Sequence, residues 1–309
     1  RSGRPVMSAD LVTVTIDGQQ VRVPKGTNLI EAARMVHCEI PHYCYHQNLS
    51  IAGNCRMCKV QIEGQPKLAI ACNTTVAEGM VVRTQETSDE VANAQRSTLE
   101  FILVNHPLDC TVCDQAGHCK LQDYYYEYNG EASRFIGEKV HKVKAEPLGP
   151  EVIYDGERCI LCTRCVRFCD EVTGTSELGV FNRGDHAVIG ISPGKELDNP
   201  FSGVVVDLCP VGALTHRQWR FNSRIWYTDV KDSICAGCST GCNTKVAVRD
   251  NKVVQVKARD NQCVNKEWMC DEGRYGFHRF QPAARLTAPV VKQQANAEPA
   301  AALSAAAKL

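Results

Sequence analysis

CILCTRCVRFCDEV, residues 159–172, sets four cysteines at C-x2-C-x2-C-x3-C spacing, and DLCPVGAL, residues 207–214, adds one more cysteine followed by proline. Three thiols this close on one loop can converge on an inorganic core without a long-range folding cost, and a remote Cys-Pro supplies the fourth; this is iron–sulfur spacing. Where two clusters share such a pattern, the last cysteine of each run serves the other cluster. The residues before Cys209, DNPFSGVVVDL, hold no second triad, and Asp170 stands where a proline would follow Cys169. Cys159, Cys162, Cys165 and Cys209 are therefore read as one [4Fe-4S] ligand set, with Cys169 left over.

Working outward, the remaining cysteines sort into three further sets. Cys44, Cys55, Cys58 and Cys72 follow a hairpin and a helix at C-x10-C-x2-C-x13-C spacing. This is a longer-loop variant of the plant-type [2Fe-2S] pattern, with Ala52 and Gly53 letting the loop backbone approach the sulfides. Cys110, Cys113 and Cys119, in HPLDCTVCDQAGHC, form a triad that lacks one ligand of a [4Fe-4S] cluster. His106, at a helix exit pinned by Pro107, is the preferred fourth ligand. The alternatives are that His106 is a bystander and that His118 or an exogenous ligand completes the site. Cys235, Cys238, Cys242 and Cys270 make a last [4Fe-4S] set, for which Cys263 is an alternative fourth ligand. Cys38, Cys169 and Cys263 are then expected to be buried small hydrophobes or free thiols.

Composition excludes several other classes. Lysine plus arginine and aspartate plus glutamate both number 35 in 309 residues, which argues against a nucleic-acid binder. The 18 cysteines could indicate a secreted disulfide scaffold, but such chains are short and begin with a signal peptide, and Arg1 to Asp10 has no apolar core. No apolar run approaches the roughly 20 residues that span a bilayer, so direct membrane insertion is not expected. A single CxxC pair can hold zinc, but zinc sites come as separated pairs, not as CxxCxxC with a remote Cys-Pro.

Periodicity places these sets on an α+β chain of tandem modules. Residues 1–10 read as an extension or tag remnant. Residues 11–84 read as a β-grasp [2Fe-2S] domain: Leu11–Ile16 alternates, Asp17-Gly18 turns, and strands are expected near Lys59–Ile62 and Met80–Thr84. Thr27 is expected to cap a helix through Val36. Residues 85–145 read as a helical [4Fe-4S] domain, with Thr87 and Glu90 as a capping box. Its first helix stops near Asn105, and a second runs from Lys120 through Tyr128. Residues 146–222 read as a loop-rich, ferredoxin-like [4Fe-4S] domain. Residues 223–280 carry a hairpin around Asp250-Asn251. The tail, 281–309, holds 11 alanines and no aromatic residue and reads as disordered.

The order of the four sets, with PHYCYHQNLSIAGNCRMCKV, HPLDCTVCDQAGHCKLQD, CILCTRCVRFCDEV and DLCPVGAL, resembles the N-terminal part of the large iron–sulfur subunit, called the G subunit in bacteria, of NADH:quinone oxidoreductase (respiratory complex I), over about residues 11–290. The fourth set resembles the [4Fe-4S] domain of molybdopterin oxidoreductases. The resemblance implies that His106 is a ligand and that Cys169 is not. It implies one [2Fe-2S] and three [4Fe-4S] clusters, and a proton-translocating complex on the cytoplasmic face of the bacterial inner membrane. The implied partners are a flavin (FMN) subunit that oxidises NADH as donor, a subunit with two ferredoxin-type [4Fe-4S] clusters as acceptor, and other subunits of the complex. Electrons would enter at the [2Fe-2S] site, cross the ferredoxin-like site and leave by the His106 site toward quinone. Family members continue into a large pterin-enzyme-like domain, of which ARLTAPVV looks like the beginning. Diaphorase subunits of NAD-linked hydrogenases share the first three sites but typically lack the fourth. Formate dehydrogenase large subunits carry all four and a full pterin domain. A third class is a scaffold whose clusters never change redox state. No flavin fingerprint or Gly-rich dinucleotide loop is present, so no substrate-converting site is expected in this chain alone.

Overall fold

The computed structural model describes residues 10–280, 290–291, 294–295 and 298–307. The expected tag remnant lies outside them, apart from Asp10.

The first unit grows from a hairpin. Strands β1 (Leu11–Ile16) and β2 (Gln19–Pro24) pair antiparallel through Asp17 and Gly18, both with positive φ, as a two-residue type I′ turn requires. Alternation along β1 turns Val12, Val14 and Ile16 inward. Helix α1 (Leu29–Met35) starts one residue later than its sequence suggests. Asn28 has the extended backbone of an N-cap and accepts from the Ile30 amide, while the Thr27 hydroxyl donates to the Pro24 carbonyl instead. Strands β3 (Lys59–Ile62), β4 (Ala69–Ile70) and β5 (Met80–Arg83) complete a sheet of order β2-β1-β5-β3-β4, with β1 and β5 parallel.

Helix α2 (Asp89–Leu103) is capped by Ser88, whose hydroxyl accepts from the Val91 amide. Thr87, expected in that role, donates its hydroxyl to Asp17 and so ties the helix entry to the first hairpin. Gln95 interrupts the apolar stripe yet is buried, because its amide donates to the Lys59 carbonyl at 2.9 Å and fixes α2 on the sheet. Helix α3 (Lys120–Tyr128) has the expected bounds.

The loop-rich third stretch holds more regular structure than its sequence shows. Strands β6 (Glu146–Pro147) and β7 (Val152–Tyr154) are followed by helix α4 (Arg164–Glu171), strands β8 (Leu178–Phe181) and β9 (Val188–Ile191), helix α5 (Val204–Leu208) and strand β10 (Leu214–His216). One three-stranded sheet has the order β10-β7-β6. In the fourth unit, β11 (Asp229–Ile234) joins the expected hairpin of β12 (Asn243–Arg249) and β13 (Lys252–Ala258), and α6 (Asp271–Tyr275) follows. Strand β11, DVKDSI, is exposed at every position, so no buried face marks it in the sequence. The expectation of a disordered tail falls mostly outside the described residues. Within them, β14 (Val290–Val291) pairs with β15 (Gln294–Ala295), and α7 (Pro299–Ala306) forms where alanine, the strongest helix former, dominates. No helix among the described residues is long and apolar enough to cross a membrane.

Two cores result. Val12, Val14, Ile16, Ile30 and Val60 fill the first unit together with Cys58 and Cys72. The larger core joins the second and third units, and it takes in Tyr43, Cys44, Leu49 and Met57 from the loop of the first. The first ligand set therefore lies across the seam between the two cores.

Candidate iron–sulfur centres

At the first set the four thiols form a chain of contacts. Cys44 interacts with both Cys55 and Cys72, and Cys58 with Cys72. The Cys72 amide also faces the Cys58 sulfur at 3.5 Å. Cys44, Cys58 and Cys72 are buried and Cys55 is half-buried. Gly53 takes a positive φ, and a Cβ there would touch Ile70. The loop can make this bend because glycine meets no steric penalty in the left-handed region.

At the second set Cys110, Cys113 and Cys119 are electrostatic neighbours. His106 leaves α2 beside Asp109, and its Nδ1 is buried with no hydrogen-bond partner. Burial, with Arg158 and Lys139 adding repulsion, lowers the His106 imidazole to about 4, so the ring is neutral and can act as a ligand. His118 also has an orphaned Nδ1, but its charged neighbours are Lys257 and Asp207. Asp109 is held by Arg158 at 2.9 Å and Lys144 at 2.7 Å, which fixes the start of the triad loop. Arg224 donates to the Cys113 and Thr111 carbonyls and clamps the loop from the other side.

The third set is the most enclosed. Cys159, Cys162, Cys165 and Cys209 line one cavity whose other walls include Tyr154, Ile189, Val211 and Leu214. Cys169 is fully buried but is not among the residues lining it. Burial pushes Cys159 and Cys162 up to about 11, Cys209 to about 12, and Cys165 well above the ordinary thiol range. Burial thus keeps the four as neutral thiols on their own; ionising them in so apolar a space would require compensating positive charge, of the kind that cluster iron would supply.

The loop bearing Cys209 also closes the second set. The Pro210 carbonyl accepts from the Lys120 amide at 3.2 Å and lies 3.9 Å from the Cys119 sulfur. A Cβ on Gly212 would fall 2.1 Å from the Cys113 sulfur, so only glycine fits there. Second and third sets are thus separated by a single turn of backbone.

At the fourth set Cys242 has Cys235, Cys270 and Cys238 as charged neighbours. Amides of Gly237 and Gly273 face the Cys235 and Cys270 sulfurs at 3.4 Å each. A Cβ on Gly273 would lie 3.0 Å from the Cys235 sulfur and 3.5 Å from that of Cys270. This draws Cys270 into the set. Cys263 is exposed, with its amide bonded to Asn261, and so differs from the expected buried thiol. Cys38 is half-buried beside Asp17 and Thr84.

Among the described residues no three His, Cys, Asp or Glu side chains are arranged to hold a single metal ion. One tetrahedral ion draws thiolates to within about 4 Å of each other, from metal–sulfur distances of about 2.3 Å. In a cubane each thiolate takes a different iron, so the sulfurs stand farther apart.

The sequence reading missed Arg164, Arg167 and Glu171. Arg167 and Glu171 stand four apart, which reads as a local helix pair. Both instead reach the first unit's loop, where the amide and hydroxyl of Ser50 donate to Glu171.

Family models match the chain in series. They are a 2Fe-2S iron–sulfur cluster binding domain over 9–87, the NADH-ubiquinone oxidoreductase-G iron–sulfur binding region over 95–134, the NADH-quinone oxidoreductase subunit 3 ferredoxin-like domain over 149–215 and a molybdopterin oxidoreductase Fe4S4 domain over 228–281. The G subunit of NADH-quinone oxidoreductase from Streptomyces coelicolor is 44% identical over 292 residues, which cover 94% of this chain and 35% of that protein. The G subunit from Rickettsia bellii is 38% identical, covering 92% and 41%. The mitochondrial NADH-ubiquinone oxidoreductase 78 kDa subunit of Neurospora crassa is 42% identical, covering 94% and 39%. Among solved structures, a chain of an NAD+-reducing [NiFe]-hydrogenase in its H2-reduced state matches with a TM-score of 0.59 at 27% identity, covering 69% of this chain and 91% of that one. The chain spans less than half the length of these oxidoreductase relatives, and over most of its own length it is similar to NADH-quinone oxidoreductase G subunits, with iron–sulfur domains matched in tandem.

Proposed function

We propose that this chain relays single electrons within an NADH:quinone oxidoreductase. Its ligands would be Cys44, Cys55, Cys58 and Cys72 for one [2Fe-2S] cluster. Three [4Fe-4S] clusters would be held by His106 with Cys110, Cys113 and Cys119; by Cys159, Cys162, Cys165 and Cys209; and by Cys235, Cys238, Cys242 and Cys270. When bound, such clusters supply one-electron carriers whose potentials follow net charge, hydrogen bonding and exposure. The chain's own residues exclude water from the third set and hold the second against it through Pro210 and Gly212. The donor would be a flavin (FMN) subunit that oxidises NADH, and the acceptor a subunit with two ferredoxin-type clusters. The site of action would be the peripheral arm of a membrane complex, on the cytoplasmic face of a bacterial inner membrane.

The observation that carries this reading is the cavity lined by Cys159, Cys162, Cys165 and Cys209, which a Cys-Pro loop also connects to the second set. The hydrogenase match favours a second reading, an accessory diaphorase subunit. The fourth unit, matched over 228–281 and typically missing from that class, favours the first reading. The test is chemical analysis with reduction by NADH in the assembled complex. About 14 iron and about 14 sulfide per chain are expected, from one [2Fe-2S] and three [4Fe-4S] clusters. Stoichiometric zinc, or iron signals that NADH never reduces, would overturn the proposal.

A further inference from the structure

Residues 164, 167 and 171 share one face of α4, at helical spacing, immediately after the loop of the third set. That face grips the loop of the first set. Arg164 donates to the Tyr45 carbonyl, and to the Leu208 carbonyl at 3.4 Å. Glu171 accepts from the Ser50 amide at 2.8 Å. Arg167 stands between them. Its Nη1 donates to the Ser50 carbonyl and its Nε to the Thr163 hydroxyl at 3.3 Å. Its Nη2 donates to two carbonyls at once, that of Cys44 at 2.6 Å and that of Cys162 at 3.2 Å. Cys44 belongs to the first ligand set and Cys162 to the third.

Every acceptor that Arg164 and Arg167 have among the described residues is a carbonyl or hydroxyl oxygen. A guanidinium stays charged at any relevant pH and presents a rigid planar fork. Two such charges, each without a carboxylate bond and each near cysteine ligands, must find their counter-charge elsewhere. Arg164 has Cys162, Cys44 and Cys209 as electrostatic neighbours, which become anionic once they ligate a cluster. Thiolate-ligated clusters become more negative on reduction, so a fixed nearby cation stabilises the reduced form.

We propose that Arg167 is the positioning residue that couples the first and third clusters. Its Nη2 joins the Cys44 carbonyl to the Cys162 carbonyl, and its charge raises the reduction potential of both centres. In the step it serves, one electron leaves the reduced centre at Cys44 and enters the oxidised centre at Cys162. No bond is made or broken, and no proton moves, since the guanidinium is protonated throughout. This inference rests on the relay reading above.

The experiment uses the assembled complex with Arg167→Gln, which removes the charge, and Arg167→Lys, which keeps the charge but loses the fork. Redox-titrated EPR gives both potentials, and flash-reduction kinetics gives the transfer time from the first to the third cluster. In Arg167→Gln both potentials should move negative and transfer should slow several-fold. In Arg167→Lys the potentials should stay near the native values while transfer slows. Unchanged potentials and transfer time in a fully loaded Arg167→Gln would overturn the proposal. If Arg167→Gln fails to retain both clusters, Arg167→Lys decides alone, and native transfer kinetics there overturns it. The relay reading fails separately, if NADH does not reduce either centre in the unmodified complex.

Discussion

Cys169 and Cys209 differ in one respect that bears on the roles proposed for them. Both are buried thiols, but only Cys209 lines the cavity with Cys159, Cys162 and Cys165. Cys169 sits in α4, where its carbonyl accepts from the Thr175 and Ser176 amides and its thiol lies near Glu177. Burial, then Glu177, pushes it up to about 12, so it remains a neutral thiol. We expect Cys169→Ser to keep every cluster, with stability lowered by about 1–2 kcal/mol for a buried hydroxyl. Cys209→Ser should lose the third cluster or its native EPR signal. Iron analysis and quantitative EPR on both variants check this, and loss of the signal in Cys169→Ser alone would reverse the assignment.

Among the elements, the turn between β1 and β2 does more than reverse the chain. Asp17 accepts from the Thr84 amide at 2.8 Å and from the hydroxyls of Thr84 and Thr87. It thereby straps the hairpin to the exit of β5 and the entry of α2. Burial alone would raise the Asp17 carboxyl, but these donors outweigh it and hold it below the ordinary carboxylate range. A lowered folded value means that the stabilisation is present above the unfolded value and is lost as pH falls through the folded one. Asp17→Asn should therefore lose about 1.5–3 kcal/mol at neutral pH, the scale of a hydrogen bond to a charged group. The difference from the native protein should persist down to the ordinary carboxylate value near about 4 and shrink only as pH falls below it, toward the lowered folded value. Apparent melting temperatures at one scan rate, with visible cluster absorbance as a loading control, measure this. Equal melting temperatures at neutral pH would show that the strap contributes nothing.

Across the whole molecule, the fourth unit has little core of its own and leans on the third. Its buried apolar residues are Ala247, Val256 and Met269. It is seated by polar contacts: Arg274 to Asp207 at 2.6 Å, Asp271 to Ser202 at 2.6 Å, and His216 to Tyr275 at 2.8 Å. Trp268 adds a wedge between His46 and Phe168. Ligation of Cys235, Cys238, Cys242 and Cys270 would close the loop that carries the β12–β13 hairpin and supply folding energy to it. Cys238→Ser should accordingly lower assembly of the complex more than electron flow per assembled complex. Normal assembly with collapsed NADH-driven quinone reduction would place the fourth centre on the electron path instead.

What the sequence determined by itself is what depends on local spacing. The close cysteine runs at 55–58, 110–119, 159–169 and 235–242, the first hairpin and the bounds of α3 all follow from residues a few positions apart. Ligand geometry on one loop and strand alternation are short-range physics. Caps were legible to within a residue, and they slipped at Thr27 and Thr87 because those hydroxyls found other partners, the Pro24 carbonyl and the Asp17 carboxylate. Strand β11 left no trace, since an exposed edge strand has no buried face to pattern it. Only the tertiary structure decided where the sets stand relative to one another. The seam location of the first set, the Pro210–Gly212 turn between second and third, and the reach of Arg167 from Cys162 to Cys44 join residues up to 123 positions apart. Such contacts are selected by packing of whole units, and no periodicity along the chain encodes them.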